Sequence, residues 1–382
     1  MKTGILGAVL VVIGAVLIAT GVLPVDDAIA VGERVWPILL FVVAITVVTE
    51  LAAEAELFRV IAERTARWGG GRTWLLWLFV VVLAVASTVF LSLDTTAVLL
   101  TPVVVMLARH IGVPPIPFAL TTVWLANTGS LLLPVSNLTN LLAEHELDGI
   151  GPLGFARLMA LPALVAVVVP SAIILIVYRR ALFTRYEADD ETPVADRTLL
   201  VASGIVVAAL VPALVSGLPV WIPATVAALT LIGFFAVRRP AVLRPAMVPW
   251  QIVLLASGLF LVVETGHSLG LSDVLGAVSG NGSDPLSLLR LAGTGAAGAN
   301  LVNNLPAYLA LEPVAGDPVR IAALLIGVNA GPLITPWASL ATLLWHERVT
   351  GLGIEISWWR YAGLGLIVVP VTLVLGVLAL AI

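Results

Sequence analysis

The sequence contains no cysteine, which removes disulfides, thiolate metal sites and thiol catalysis together. Its four histidines are scattered and form no HxxxH or HExxH pair, so no metal and no cofactor is expected. No serine and histidine are convincingly placed for nucleophilic chemistry, and an enzyme is not expected. Charge is scarce: only 11% of the 382 residues are Asp, Glu, Lys or Arg, against 60% hydrophobic, more apolar surface than a soluble core can use. The solvent must be lipid. The net charge of -4 carries little meaning, because the side on which each charge lies matters more than the sum. No nucleic-acid partner is expected.

Apolar runs long enough to cross about 30 Å of hydrocarbon as helices recur along the chain. The best placements are about residues 4–23, 36–53, 117–147, 157–178, 198–217, 219–237, 250–266, 319–345 and 358–381, which predicts nine crossings of an inner (plasma) membrane. The opening run is longer than a signal-peptide core and lacks an A-x-A site, so it is read as a span. Two further apolar segments, about 74–110 and 285–313, are interrupted by polar residues, as a reentrant helical hairpin would be. With the N-terminus cytoplasmic and the C-terminus outside, fifteen of the nineteen Lys and Arg residues fall inside, leaving Arg34, Arg157, Arg290 and Arg320 outside. Residues 57–68 alternate apolar and charged positions at helical spacing and predict an amphipathic surface helix. The polar stretch 179–197 divides the chain into an N-terminal part, 1–178, and a C-terminal part, 198–382.

These two parts repeat each other. Residues 127–142, NTGSLLLPVSNLTNLL, align without gaps on 329–344, NAGPLITPWASLATLL, with seven of sixteen identities at an offset of 202. Trp36 to Glu50 matches Trp250 to Glu264, and 94–99, DTTAVL, matches 304–309, NLPAYL. The identities include Asn, Gly and Pro, at places where the helical pattern fails. Five crossings separate the second span from its counterpart, and an odd number forces opposite orientation. The expected fold is therefore all-α and polytopic, with two inverted structural repeats. Each holds a reentrant hairpin and a broken transmembrane helix, at about 117–147 and 319–345.

Breaks of this kind are tolerated in a membrane where freed backbone groups face protein or water, and they bind small polar solutes with few charged side chains. Hydroxyls and amides cluster around them: Thr95, Thr96, Asn127, Thr128, Ser130, Ser136 and Asn137 in the first part, with Asn303, Asn304, Asn329, Thr335, Ser339 and Thr342 in the second. These are the candidate substrate-binding residues, although the same residue types also join helices by hydrogen bonds. Asp94 is the only charge between Arg72 and Arg109 and falls at a hairpin tip, where a carboxylate costs about 2.5–3.5 kcal/mol by insertion scales. One reading makes it the proton-coupling group; the other makes it an N-cap of the following helix, for which Asp-Thr-Thr is a good sequence.

SLDTTAVLLTP, ANTGSLLLPVSNLTNLL, LVNNLPAYLAL, GVNAGPLITPWASLATLLW and ISWWRYAGLGLIVVPVTL together resemble the arsenite efflux permease family (ArsB) of the ion transporter superfamily. The resemblance covers roughly residues 7–382. It implies a secondary active transporter exporting arsenite or antimonite, driven by the proton motive force, with a soluble arsenite-stimulated ATPase and a homodimer as possible partners. By motif it assigns the hairpin Asp to Asp94, the Asn pair to Asn303 and Asn304, and the two breaks to Ser136 with Asn137 and to Thr335, Ser339 and Thr342. Against that family the chain is expected to start where the second span usually lies; Thr95 stands where Gly is common, and the central loop is short. Neutral arsenous acid suits hydroxyl and amide ligands, and a site without thiolates releases it readily. A sodium/proton antiporter of the same superfamily remains the alternative, since Asp94 with amide and carbonyl oxygens also suits a hard cation.

Overall fold

The computed structural model describes residues 2–147, 150–187 and 192–381, so residues 188–191 of the central linker lie outside it. Its helices are α1 Lys2–Ala19, α2 Val25–Glu54, α3 Leu57–Trp68, α4 Thr73–Leu91, α5 Thr101–His110, α6 Ile116–Thr128, α7 Leu138–Glu146, α8 Gly151–Val177 and α9 Arg179–Leu182. They continue as α10 Arg197–Leu214, α11 Trp221–Arg238, α12 Trp250–Ser268, α13 Leu271–Ser279, α14 Pro285–Leu301, α15 Asn304–Ala315, α16 Pro318–Ala330, α17 Leu340–Gly351 and α18 Trp358–Leu378. Among the described residues no strand forms beyond one isolated bridge, Arg72 to Arg185.

Among the described residues seven helices are long and apolar enough to cross a bilayer: α2, α4, α8, α10, α11, α12 and α18. The chain is a multi-pass membrane protein. Helices α6 and α16 stop short as continuous spans, because the chain leaves helical geometry in the middle of each long apolar segment. The departures coincide at the offset of 202. Leu133 (φ -124°, ψ 151°) corresponds to Thr335 (φ -116°, ψ 148°), and Asn137 (φ -152°, ψ 146°) to Ser339 (φ -144°, ψ 140°), all extended and flanked by 3₁₀ turns. A proline follows the first extended residue in both, Pro134 and Pro336, and cannot donate a helical hydrogen bond.

Each interrupted hairpin also turns at a residue with positive φ that is not glycine. Ser92 (φ 119°, ψ 160°) separates α4 from the helix that resumes at Leu93 and runs through a π-helical turn, Thr95–Leu100, into α5; Asn303 (φ 154°, ψ 160°) separates α14 from α15. Backbone in that region costs an L-residue about 1–3 kcal/mol and persists only where the surroundings over-determine it. The two hinges correspond one residue away from the register of the sequence match, which pairs Asp94 with Asn304.

Burial orders the helices into layers. Every residue of α6 from Pro117 to Thr128 and of α16 from Arg320 to Ala330 is buried, so these helices are enclosed all round and central. Helices α10 and α11 instead leave Val201, Ile205, Val226 and Leu229 exposed to lipid. Backbones approach closely around the centre: a Cβ on Gly327 of α16 would collide with the Ala292 carbonyl of α14, and one on Gly365 of α18 with the Leu333 carbonyl in the second break.

One element differs from the sequence expectation. Helix α2 begins at Val25 rather than near 36, because Asp26 and Asp27 favour its first turn and Pro37 is absorbed inside it. Helix α13 stands where the repeat implies a surface helix in the second part without fixing its bounds. The amphipathic segment is α3, and beyond it Asp196 caps α10 and pairs with Arg238 of α11 at 2.8 Å, a hydrogen bond that holds its carboxyl below the usual range.

Candidate functional site

The two hairpin turns and the two breaks converge on one cavity of about 90 Å³. Ser92, Leu93 and Asp94 line it from the first hairpin, and Asn303, Asn304 and Leu305 from the second. Val135, Asn137, Leu138 and Leu141 come from the first break, Ser339, Leu340 and Ala341 from the second. Helix α2 closes it with Phe41, Val42, Ile45 and Thr46, and α12 with Ile252, Leu255 and Ala256. No Lys, Arg or His lines it; Asp94 is its one ionisable group among the described residues.

The backbone gives this cavity its polarity. Helices α7, α15 and α17 and the segment resuming at Leu93 all start at its wall. Each start leaves backbone N–H groups without intrahelical acceptors and carries the positive end of a helix dipole. Asn137 accepts from the Thr139 N–H at 3.4 Å and Asn303 from the Leu305 N–H at 3.3 Å, satisfying one donor at each. Ser339 starts α17 without such a bond, and its buried hydroxyl has no partner. Asp94 caps nothing: the Thr95 N–H bonds to the Ser92 hydroxyl at 3.4 Å, so Ser92 takes the N-cap role and the Asp94 carboxylate is left facing the cavity.

The other candidate residues lie one layer behind and join the breaks. Asn329 Oδ1 accepts from Asn137 Nδ2 at 2.5 Å and Ser130 Oγ at 3.3 Å, and its Nδ2 donates to Asn140 Oδ1 at 3.4 Å. Asn127, its counterpart, donates to Thr342 Oγ1 at 3.2 Å, and Thr342 is the counterpart of Asn140. The two breaks are thus bonded reciprocally across the repeat axis. Ser136 donates to the Ser130 and Leu133 carbonyls, and Asn140 Nδ2 to the same two at 2.7 and 3.3 Å, so the carbonyls freed by the first break are covered. Thr335 donates its N–H and hydroxyl to Asn300 Oδ1 at 3.0 and 2.7 Å. Thr128 bonds back to Trp124 O at 3.0 Å, and Thr96 accepts from Thr88 at 2.8 Å between the hairpin arms. Of the candidates, the cavity therefore gathers Asp94, Asn137, Asn303, Asn304 and Ser339; the rest do not reach it, and Thr95 lines only the cavity next to it.

The sequence reading passed over several residues. Asn300 Nδ2 donates to Gly331 O at 2.9 Å while its Oδ1 holds Thr335, so one amide fixes the second break. Its signal was an Asn inside the small-residue run GTGAAGAN. Ser92 and Thr46 line the cavity itself.

Two further cavities follow the first along α2. A second cavity of about 160 Å³ shares Thr46, Ser92, Asp94 and Ile252 with the first and adds Thr49, Glu50, Thr95 and Met247. A third, about 520 Å³, shares Glu50, Ala246 and Met247 with the second and adds Glu54, Arg239 and Arg244. In the other direction, about 11–16 Å back along α2 at 1.5 Å per residue, Arg34 pairs with Glu312 of α15 at 2.6 Å, with Glu146 of α7 3.9 Å away. Tyr308 donates to the same Glu312 carboxylate at 2.9 Å, and Glu312 is only 4% exposed. This ion pair ties α2 to the second hairpin.

Known proteins share this chain's pattern. The citrate transporter family (CitMHS) matches residues 2–342. The arsenical pump membrane protein of Escherichia coli strain K12 is 31% identical over 397 residues, covering 97% of this chain and 92% of that protein. The protein of the same name from Yersinia enterocolitica is 30% identical over 393 residues, covering 96% and 91%. In fold, the YdaH transporter of Alcanivorax borkumensis is similar, with a TM-score of 0.58 at 16% identity over 90% of this chain and 84% of that one.

Proposed function

The chain belongs to the citrate transporter (CitMHS) family and is a membrane transporter, and from that premise we propose that it exports arsenite or antimonite by alternating access, coupled to inward proton movement through Asp94. The observation that carries this reading is the cavity itself. It offers amides, hydroxyls and helix N-termini from the two hairpins and the two breaks, one carboxylate and no cationic side chain, against an apolar wall from α2 and α12. A neutral trihydroxide both donates and accepts hydrogen bonds and finds partners for each there. The identity of about 30% to proteins named arsenical pumps supports the same substrate class.

In this mechanism the parts 1–178 and 198–382 act as inverted repeats around the cavity, in an inner membrane with the N-terminus cytoplasmic. Substrate enters from the cytoplasm past Glu50, on the side where the cavities are continuous. The Arg34–Glu312 pair then marks the closed, outer side. A proton bound to Asp94 from outside is released inside, and each charge moved contributes about 2.3 kcal/mol per 100 mV. The remaining candidates, Asn127, Thr128, Ser130, Ser136, Asn329, Thr335, Thr342 and Thr96, hold the breaks and hinge in shape around the substrate. No docking of an ATPase subunit or a second copy is needed for the step.

Citrate, which the family's name invokes, is a competing substrate, because converging helix N-termini favour anions. Asp94 opposes it, and about 90 Å³ of space holds only a few waters' worth of solute. Proteoliposome counterflow with arsenite, antimonite, sodium and citrate separates the readings. Arsenite counterflow in the wild type, with gradient-driven efflux abolished in Asp94→Asn, is the expected result; gradient-driven efflux that survives Asp94→Asn rules out the proton role. Counterflow of citrate or sodium alone rules out the substrate.

A further inference from the structure

Glu50 lies at the end of an apolar stretch and by sequence reads as an interfacial carboxylate. The structure puts it elsewhere. Thr46, Thr49 and Glu50 stand at i, i+3 and i+4 on α2 and so share one face of the helix. That face looks into the middle cavity, whose far end is Asp94. Among the described residues Asp94 and Glu50 are the only ionisable groups lining this middle space, and Glu50 alone also lines the wide outer vestibule. The hydroxyls between them donate back to their own helix, Thr46 to Val42 O at 2.7 Å and Thr49 to Thr46 O at 2.9 Å. Their lone pairs are left to accept from water.

We propose that Glu50 is the carboxylate that exchanges protons between Asp94 and the aqueous vestibule. The inference rests on the proton-coupled reading given above. In the release direction the Asp94 O–H bond breaks and its proton passes to a water in the middle cavity. That water gives up one of its own protons to the Glu50 carboxylate, forming a new O–H bond, and Glu50 then loses it to vestibule water. Asp94 ends as carboxylate, Glu50 and the bridging water are regenerated, and one proton has left the site. The charged groups that face Glu50 are Glu54 on its own helix, Arg239 and Arg244 of the loop between α11 and α12, and Arg348 of α17. None of them forms an ion pair with it, so its carboxylate is free to take a proton.

The test compares two fluxes in proteoliposomes made with wild type, Glu50→Gln and Glu50→Asp. Arsenite exchange with equal pH on both sides carries no net proton; arsenite efflux driven by a pH gradient does, and a trapped pH dye reads that proton. In Glu50→Gln the gradient-driven flux and its proton signal fall at least about a hundredfold, the lower edge of what a positioned acid–base group contributes, while exchange falls less than about threefold. Glu50→Asp, one methylene shorter, recovers most of the coupled flux. Exchange and coupled flux falling together in both variants means a structural role and overturns the inference. So does a Glu50→Gln protein with unaltered coupled flux, which leaves the role of Asp94 standing. Wild-type arsenite transport with no proton signal overturns both.

Discussion

Asn329 and Asn127 occupy matching positions in the two parts, yet they are not equivalent in bonding, and the difference can be measured. Asn329→Ala removes three hydrogen bonds to the first part, to Asn137 at 2.5 Å, Ser130 at 3.3 Å and Asn140 at 3.4 Å. Ser130 keeps the Asn127 carbonyl, and the Asn140 amide keeps two others, but Asn137 Nδ2 has no second acceptor and is left buried and unpaired. Such an orphan costs about 1–3 kcal/mol. Interhelical bonds in membranes contribute about 0.6 kcal/mol on average, so the remaining losses are smaller and the total is about 2–4 kcal/mol.

Asn127→Ala, by contrast, gives up one bond to the second part, to Thr342 at 3.2 Å, and takes away a buried Oδ1 that has no partner in the native protein. The net cost is about 0–1 kcal/mol. Unfolding free energies from SDS titration in mixed micelles are the assay. A double-mutant cycle of Asn329→Ala with Asn137→Ala should show coupling of about 1–2 kcal/mol, because the double variant leaves no orphan. The cycle of Asn127→Ala with Thr342→Ala should be additive to within about 0.5 kcal/mol. Equal costs for the two asparagines, or additivity at 329 and 137, would refute this account of how the breaks are held.

Arg34→Met strands the Glu312 carboxylate, and by analogy with other buried pairs should cost about 3–5 kcal/mol. Arg34→Met with Glu312→Leu should recover most of that in the same titration; a double variant no more stable than the single would show that the pair is not the unit. Gly327→Ala forces a methyl against the Ala292 carbonyl and should lower stability by about 1–3 kcal/mol. Gly233→Ala in α11, where a Cβ meets nothing within 4 Å, should be neutral or raise stability by about 0.4–1 kcal/mol in a thermal melt.

The multi-pass helical architecture is legible because a transmembrane helix has a length and a polarity that nothing else in the chain imitates. The segments where helicity fails are marked as well, since Asn-x-Gly followed by Pro stands out against long runs of Leu and Val. What no local pattern carries is direction across the fold. Asn127, Asn329 and Thr342 look as suitable for a solute as Asn137 and Ser339, but they turn toward each other, and only packing decides which amide meets the cavity and which meets a neighbour. Arg34 and Glu312 are 278 residues apart and pair for reasons that neither neighbourhood contains. Glu50 is the instructive case. Its polar stripe with Thr46 and Thr49 was readable at helical spacing, but the reading needs α2 to run on to Glu54 and the 246–249 loop to close over it.

The asymmetry of the site bears on how access is controlled. The helix breaks match dihedral for dihedral, so the frame around the cavity is nearly symmetric, while the chemistry flanking it is not. At the repeat-related positions of Arg34 and Glu312, Val248 and Pro102 stand, and neither can form an ion pair. In the proposed mechanism the closed side is therefore held by a buried charge pair that the open side cannot reproduce on closing. A contact present in one access state and absent from the other sets the equilibrium between them, by a factor of ten for each 1.4 kcal/mol. The three bonds of Asn329 and the one of Asn127 act at the same junction and tie the two breaks to each other. In the proposed mechanism, near-symmetry of the backbone allows two access states, and the unshared side chains bias which one is populated without substrate.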